Sequence, residues 1–170
     1  MNADRVKAAQ PQPLYTAEQR RRRDASPWTL VQGLLAPLQF LVFLVSLCLL
    51  LRFLLTGNGQ QAATISVVAK TLTLYTIMVT GSIWEKVVFG KWLFADAFFW
   101  EDVFSMLVLG LHTAYLAGLV SGRLDAHALA VLALAAYAAY IINAAQFLLK
   151  LRAARLQSAA PANLNWEPSR

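Results

Sequence analysis

The sequence predicts an all-α integral membrane protein with four membrane-spanning helices, on three observations. Hydrophobic residues make up 58% of the 170 and charged residues only 14%, with a mean hydropathy of +0.51. Soluble domains run nearer half apolar and a quarter charged. Four apolar runs are each long enough to cross the hydrocarbon layer, which takes about 20 residues of helix. The basic excess, 15 Lys and Arg against 9 Asp and Glu, gathers at the ends of those runs and not along one face. This pattern excludes a disordered chain, a coiled coil and an ordinary soluble enzyme, and it argues against a nucleic-acid partner. Cys48 is the single cysteine, so no intrachain disulfide can form and a secreted disulfide scaffold is excluded.

The elements follow in chain order. Residues 1–13 are polar and contain proline, the composition of a disordered tail. Residues 14–26 read as a basic surface helix: Thr16 followed by Gln19 fits a capping box, and Arg20 to Arg23 suit a membrane surface of anionic lipid. Ser26 and Pro27 are suited to N-cap and first position of the next helix. The membrane domain covers 27–156, with spans at about 30–51, 62–84, 98–120 and 126–149. In lipid every backbone amide must be paired internally, so such runs are helices. TGNGQQ (Thr56 to Gln61) and SGRLD (Ser121 to Asp125) are short turns that make spans one and two, and spans three and four, antiparallel neighbours. Residues 157–170 form a flexible tail. No A-x-A-type site follows the first run, which is too long for a secretory signal, so cleavage is not expected.

An even number of spans places both termini on one side. Arg5, Lys7, Arg20 to Arg23, Lys86, Lys91, Lys150, Arg152, Arg155 and Arg170 then share that side, twelve of the fifteen basic residues, against Arg52 and Arg123 opposite. The positive-inside rule makes the richer side cytoplasmic. The longer connection between spans two and three lies there too. With its flanks it carries Trp84, Phe89, Trp92, Phe94, Phe98, Phe99 and Trp100, either as a lipid anchor or as a platform for a flat aromatic ligand. Ala133, Ala136, Ala139 and Ala144 allow close helix contact, within the chain or in a homo-oligomer.

Ionisable groups inside spans are costly and mark function by default. Counting about 1.5 Å per residue gives two polar layers. The cytoplasmic layer holds Gln32, Glu85, Glu101, Asp102, Asn143 and Gln146; the deeper one holds Lys70 and His112. Glu101, Ser105 and His112 fall on one helical stripe, with Asp102 about 100° away. Glu101 is either an interfacial carboxylate at a helix N-terminus or an acid kept protonated in a poorly hydrated site. His112 is either an interhelical hydrogen bonder or an axial ligand to a tetrapyrrole metal. Lys70 has no carboxylate at its level, leaving snorkelling or a ligand carboxylate or carbonyl. WEKVVF from Trp84 and WEDVF from Trp100 echo each other and bring carboxylates to one surface.

Four long blocks carry a resemblance to a known family: LYTAEQRRRRDASPWTLVQG (Leu14 to Gly33), YTIMVTGSIWEKVVFG (Tyr75 to Gly90), FFWEDVFSMLVLGLHTAYL (Phe98 to Leu116) and NAAQFLLKLRAARL (Asn143 to Leu156). They closely resemble the 2-vinyl (also called 3-vinyl) bacteriochlorophyllide hydratases of bacteriochlorophyll biosynthesis. The resemblance implies hydration of the C3-vinyl group of chlorophyllide a or its bacteriochlorin counterpart to a 1-hydroxyethyl group. It also implies a bacterial inner or intracytoplasmic photosynthetic membrane, no cofactor beyond the magnesium of the substrate, and a product that can be handed to the next pathway enzyme. It supplies no catalytic residues.

Such chemistry needs a proton at the terminal vinyl carbon, a positioned water and a pocket for a flat amphiphile. Glu101 or Glu85 suits the first role, and Asp102 or Asn143 can orient the water. Trp84, Trp92 and Trp100 can stack on the ring, Ser105 and Lys70 can line the pocket, and a surface Lys or Arg can receive the propionate. Glu101 stands about 16 Å from His112 along the helix, too far for acid and magnesium ligand to serve one pose. A cytoplasmic site with Glu101 as acid is preferred. A bis-His haem carrier is disfavoured by the offset of His112 and His127, roughly 7 Å. A proton-coupled transporter is disfavoured by carboxylates near one surface. A pigment-binding scaffold without catalysis is the rival that product formation separates.

Overall fold

The structure is a computed structural model that describes residues 14–159, with side chains through residue 156. The tails expected at 1–13 and beyond Ala159 lie outside the described residues. Five helices follow one another: α1 (Ala17–Ala25), α2 (Pro27–Thr56), α3 (Gln60–Phe89), α4 (Phe99–Ser121) and α5 (Ala126–Ala159). The last four are each long and apolar enough to cross a membrane, giving the all-α bundle of four long apolar helices.

Local chemistry sets the boundaries. Thr16 accepts from the Gln19 amide at 3.2 Å while Gln19 Oε1 accepts from the Thr16 amide at 2.9 Å, the reciprocal pair of a capping box. Ser26 then ends α1 and caps α2, its hydroxyl accepting from the Trp28 amide at 3.3 Å. Burial pushes the Tyr15 phenol above its ordinary value, opposed by the Arg23 guanidinium lying 4.7 Å over its ring. The helices outrun the apolar stretches that announce them. No breaker intervenes between Trp84 and Phe89, so α3 ends only at Gly90, where φ is 81°. That left-handed C-cap lets the Gly90 amide reach the Lys86 carbonyl at 3.1 Å. Gly90→Ala is expected to cost about 1 kcal/mol, because a Cβ is strained at this φ; thermal unfolding in detergent measures it.

The turns at Gly57 to Gly59 and at Gly122 fold α2 onto α3 and α4 onto α5 as two tightly packed hairpins. The hairpins meet more lightly, through α2 with α5 and α3 with α4. Phe43, Leu50, Val67, Leu74, Val108 and Tyr137 fill the centre. Ala133 and Ala136 are wholly covered within the chain, so this alanine face is used inside the bundle. Outward, Leu30, Leu34, Leu41, Leu55, Val120 and Leu148 are exposed, as a lipid-facing surface requires. Pro37 sits inside α2 and leaves the Gly33 carbonyl without its helical donor.

Candidate active site

At the α1 end of the bundle, the last turns of α3, the first turns of α4 and the C-terminal half of α5 converge under the connection from Gly90 to Phe98. Glu85, Glu101 and Asp102 are all buried there. The sequence places them so because each closes a tryptophan-led turn at the same end of two antiparallel helices.

The carboxyl groups of Glu85 and Asp102 lie within side-chain hydrogen-bonding reach of each other. Two carboxyls can bond to each other only through an O–H, so one proton on the pair would close this contact. Each carboxyl also accepts one backbone amide from the connection: Phe94 N–H donates to Asp102 Oδ2 at 2.8 Å, and Ala95 N–H donates to Glu85 Oε2 at 3.2 Å. Phe94 adopts φ 57°, a left-handed conformation that a bulky residue rarely takes and that tends to cluster at functional sites. This turn aims two successive amides at the carboxyls.

Glu101 is engaged differently. Lys150 of α5 donates to Glu101 Oε2 at 2.5 Å and also to the Ala97 carbonyl, with its ammonium 5.2 Å from the Phe98 ring centre. One turn deeper, Asn143 Nδ2 donates to Ser105 Oγ at 2.8 Å. The α4–α5 seam thus carries two polar pairs, Glu101 with Lys150 and Ser105 with Asn143. Asp102, about 100° around the helix from the Glu101 stripe, points inward to Glu85. Gln32 does not join the cluster; its Nε2 donates to Thr80 Oγ1 at 2.7 Å.

The seven aromatics of the connection divide into two groups. Trp84, Phe89 and Phe98 pack with Tyr15 and Phe147 under the connection. The Trp84 indole donates to Thr29 Oγ1 at 3.0 Å and ties α3 to α2. Trp92 and Trp100 stand 60% and 66% exposed, with Phe94, Phe99 and Trp100 ring to ring. A single platform built from all seven is therefore not formed.

Where α3 and α4 part, a groove of about 340 Å³ opens along the bundle, lined by Tyr75, Met78, Val79, Leu109 and Thr113. Tyr75 Oη and Thr113 Oγ1 lie 2.8 Å apart among these lining residues. Met78 and Leu109 are each seven residues from Glu85 and Asp102 respectively, so they share helical stripes with the carboxyl pair about 10 Å away. The groove's size falls within the range of small-molecule sites, roughly 300 to 1,000 Å³.

The deeper layer also assembles. Lys70 and His112 are 0% exposed and lie within electrostatic range of each other. Lys70 Nζ sits 3.9 Å over the Tyr140 ring, and His112 Nδ1 donates to the Val108 carbonyl at 2.8 Å. A carbonyl can only accept, so the lone pair of the neutral ring is on Nε2. Neither Lys70 Nζ nor His112 Nε2 has a hydrogen-bond partner among the described residues. His127 lies elsewhere, its ring 5.5 Å from that of Phe53.

Two features escape a sequence reading. Lys150 looks like a tail residue of the positive-inside pattern, yet it lies seven residues after Asn143 and four after Gln146, on the same helical stripe. The groove residues carry no charge and resemble any other lipid-facing apolar stretch.

The family model for 2-vinyl bacteriochlorophyllide hydratase matches residues 15–153. A 2-vinyl bacteriochlorophyllide hydratase of Rhodobacter capsulatus is 68% identical over 147 residues, covering 86% of this chain and 85% of that protein. One of Cereibacter sphaeroides is 66% identical over 148 residues, covering 86% and 91%. No solved structure matches. The matched region contains the carboxyl pair, the Glu101–Lys150 bridge, the groove and the buried Lys70–His112 layer. The chain belongs to the 2-vinyl bacteriochlorophyllide hydratase family.

Proposed function

We propose that this protein hydrates the C3-vinyl group of chlorophyllide a, or of 3-vinyl bacteriochlorophyllide a, to the 3-(1-hydroxyethyl) product, with the Glu85–Asp102 pair as general acid. Family membership carries the hydratase activity and its place among bacterial membrane enzymes. The observation that carries the mechanism is the close approach of two buried carboxyls on the helical stripes of the α3–α4 groove, about 10 Å from its lining.

The macrocycle lies in the groove against Met78, Val79 and Leu109, with its vinyl group toward the pair. The acid delivers its proton to the terminal vinyl carbon, and the π electrons form the new C–H bond. The cation left on the adjacent carbon is delocalised into the ring, water captures it, and a proton returns to the carboxyl pair. The amides of Phe94 and Ala95 hold the two carboxyls in place, one donor to each, and stabilise the negative charge left on both after proton donation. An acid in reach of the reacting atom typically contributes about 10² to 10⁴ in rate.

Glu101 plays another part. Its carboxyl is engaged by the Lys150 ammonium at 2.5 Å, so the choice of acid moves from Glu101 to the neighbouring pair. Magnesium enters as part of the substrate. His112 would be an axial ligand only in a deeper pose, and the carboxyls lie about 15 Å from it along the helices; it is assigned an interior structural role with Lys70. Trp92 and Trp100, exposed beside Phe99, anchor the protein in the headgroup region. Both termini and the aromatic connection are cytoplasmic, on the strength of the basic residues at that end, which places a water-requiring site where water is at hand. Self-association and transfer of product to a later enzyme remain open to the lipid-facing surface.

The test is product analysis of the detergent-purified protein with chlorophyllide a in ¹⁸O-water. A hydroxyethyl product carrying ¹⁸O is expected. Bound pigment recovered unchanged would instead favour a non-catalytic pigment scaffold, the reading that His112's free Nε2 would serve.

A further inference from the structure

The carboxyl pair supplies a proton, but the second reactant is water, and the mechanism above leaves its position unassigned. Two buried acceptors on α5 have no hydrogen-bond partner among the described residues: Asn143 Oδ1 and Gln146 Oε1. Asn143 is only 9% exposed, and its amide nitrogen is already committed to Ser105 Oγ. An orphaned buried amide oxygen costs on the order of 1–3 kcal/mol, and such groups ordinarily mark a bound water.

The placement of these oxygens is specific. Asn143 and Gln146 are three residues apart on α5, so they are neighbours on one helical face. On α4, Ser105 is three residues from Asp102 and therefore adjacent to it on that helix. On α5, Gln146 stands one turn after Asn143 and one turn before Lys150. Asp102 lies within electrostatic range of Glu101 and Lys150, the ion pair of the α4–α5 seam.

We infer that Asn143 Oδ1 and Gln146 Oε1, with Ser105 Oγ, form the site that holds the nucleophilic water of the reaction. This inference rests on the hydratase reading and deepens it. The amide oxygens accept one O–H of the water, its other O–H is directed to the carboxylate of the Glu85–Asp102 pair, and a lone pair is left free for the carbon cation. As the C–O bond forms, the water gives up one proton to the carboxylate of the Glu85–Asp102 pair, which restores the proton spent on the vinyl carbon. Atoms balance as addition of one water. The amides orient and do not ionise, so they are positioning residues and the carboxyls are the acid and base.

Proton delivery and water capture can be read separately in D₂O. In Gln146→Leu and Asn143→Leu the vinyl group is still protonated, but the cation collapses back by losing a proton. Recovered substrate should therefore carry deuterium at the terminal vinyl carbon, while hydroxyethyl product falls about tenfold or more. Gln146→Leu removes an amide oxygen with no partner among the described residues, so its thermal stability should hold or rise. It carries the test if Asn143→Leu fails to fold. Product within about twofold of wild type in a stable, pigment-binding Gln146→Leu would overturn the inference. So would parallel loss of product and deuterium exchange, which would place the defect in proton delivery or binding. Absence of product and exchange in the wild type would instead overturn the hydratase reading itself.

Discussion

Glu85→Gln and Asp102→Asn are each expected to lower single-turnover hydration of chlorophyllide a by at least about 100-fold while pigment binding is kept. Either change replaces one carboxyl of the buried, electrostatically coupled pair by an amide that has no transferable proton. The shapes are nearly unchanged, and the backbone amides of Phe94 and Ala95 retain an oxygen to bond. The double variant should be little worse than either single one, because groups that act as a unit lose their function together. Glu101→Gln, by contrast, should leave the rate of proton delivery within about threefold of wild type, since Glu101 is committed to Lys150. A Glu101→Gln defect larger than that of Glu85→Gln would return the acid to Glu101.

The second large effect is on stability. Lys150→Met leaves the Glu101 carboxylate buried without its cation and frees the Ala97 carbonyl. Removing one partner of a buried ion pair costs about 3–5 kcal/mol. Lys150 keeps 28% of its side chain exposed, so solvent screening brings the expected loss to roughly 2 kcal/mol. Adding Glu101→Gln should recover most of it, because the stranded charge is then gone. Thermal unfolding of the two single variants and the double in one detergent gives the coupling. Equal, additive losses would show that the bridge carries no interaction energy.

The bundle was legible because a bilayer leaves few options. Apolar runs of the right length must be helices, and Gly57, Gly90 and Gly122 end them where the backbone turns left-handed. The two polar layers were also legible from rise per residue, with Lys70 level with His112 and the carboxyls together at one end. What a sequence does not carry is rotation about the helix axes. Asp102 and Glu101 are consecutive, and only packing decides which one faces Glu85 and which faces Lys150. The fate of the aromatics was hidden for the same reason: Trp84 turns in to Thr29, whereas Trp100 turns out. The strained Phe94 left no trace in composition. Its left-handed φ is imposed by the connection that has to present two amides to two carboxyls.

The central claim is that one proton resides on the Glu85–Asp102 pair and is the proton transferred. Infrared difference spectroscopy of the resting protein tests it most directly, through the carbonyl stretch of a protonated carboxyl that shifts in D₂O. That band is expected in the wild type and in Glu101→Gln, and it should vanish in both Glu85→Gln and Asp102→Asn. A band that survives in those two variants and is lost only in Glu101→Gln would contradict the account and place the proton on Glu101.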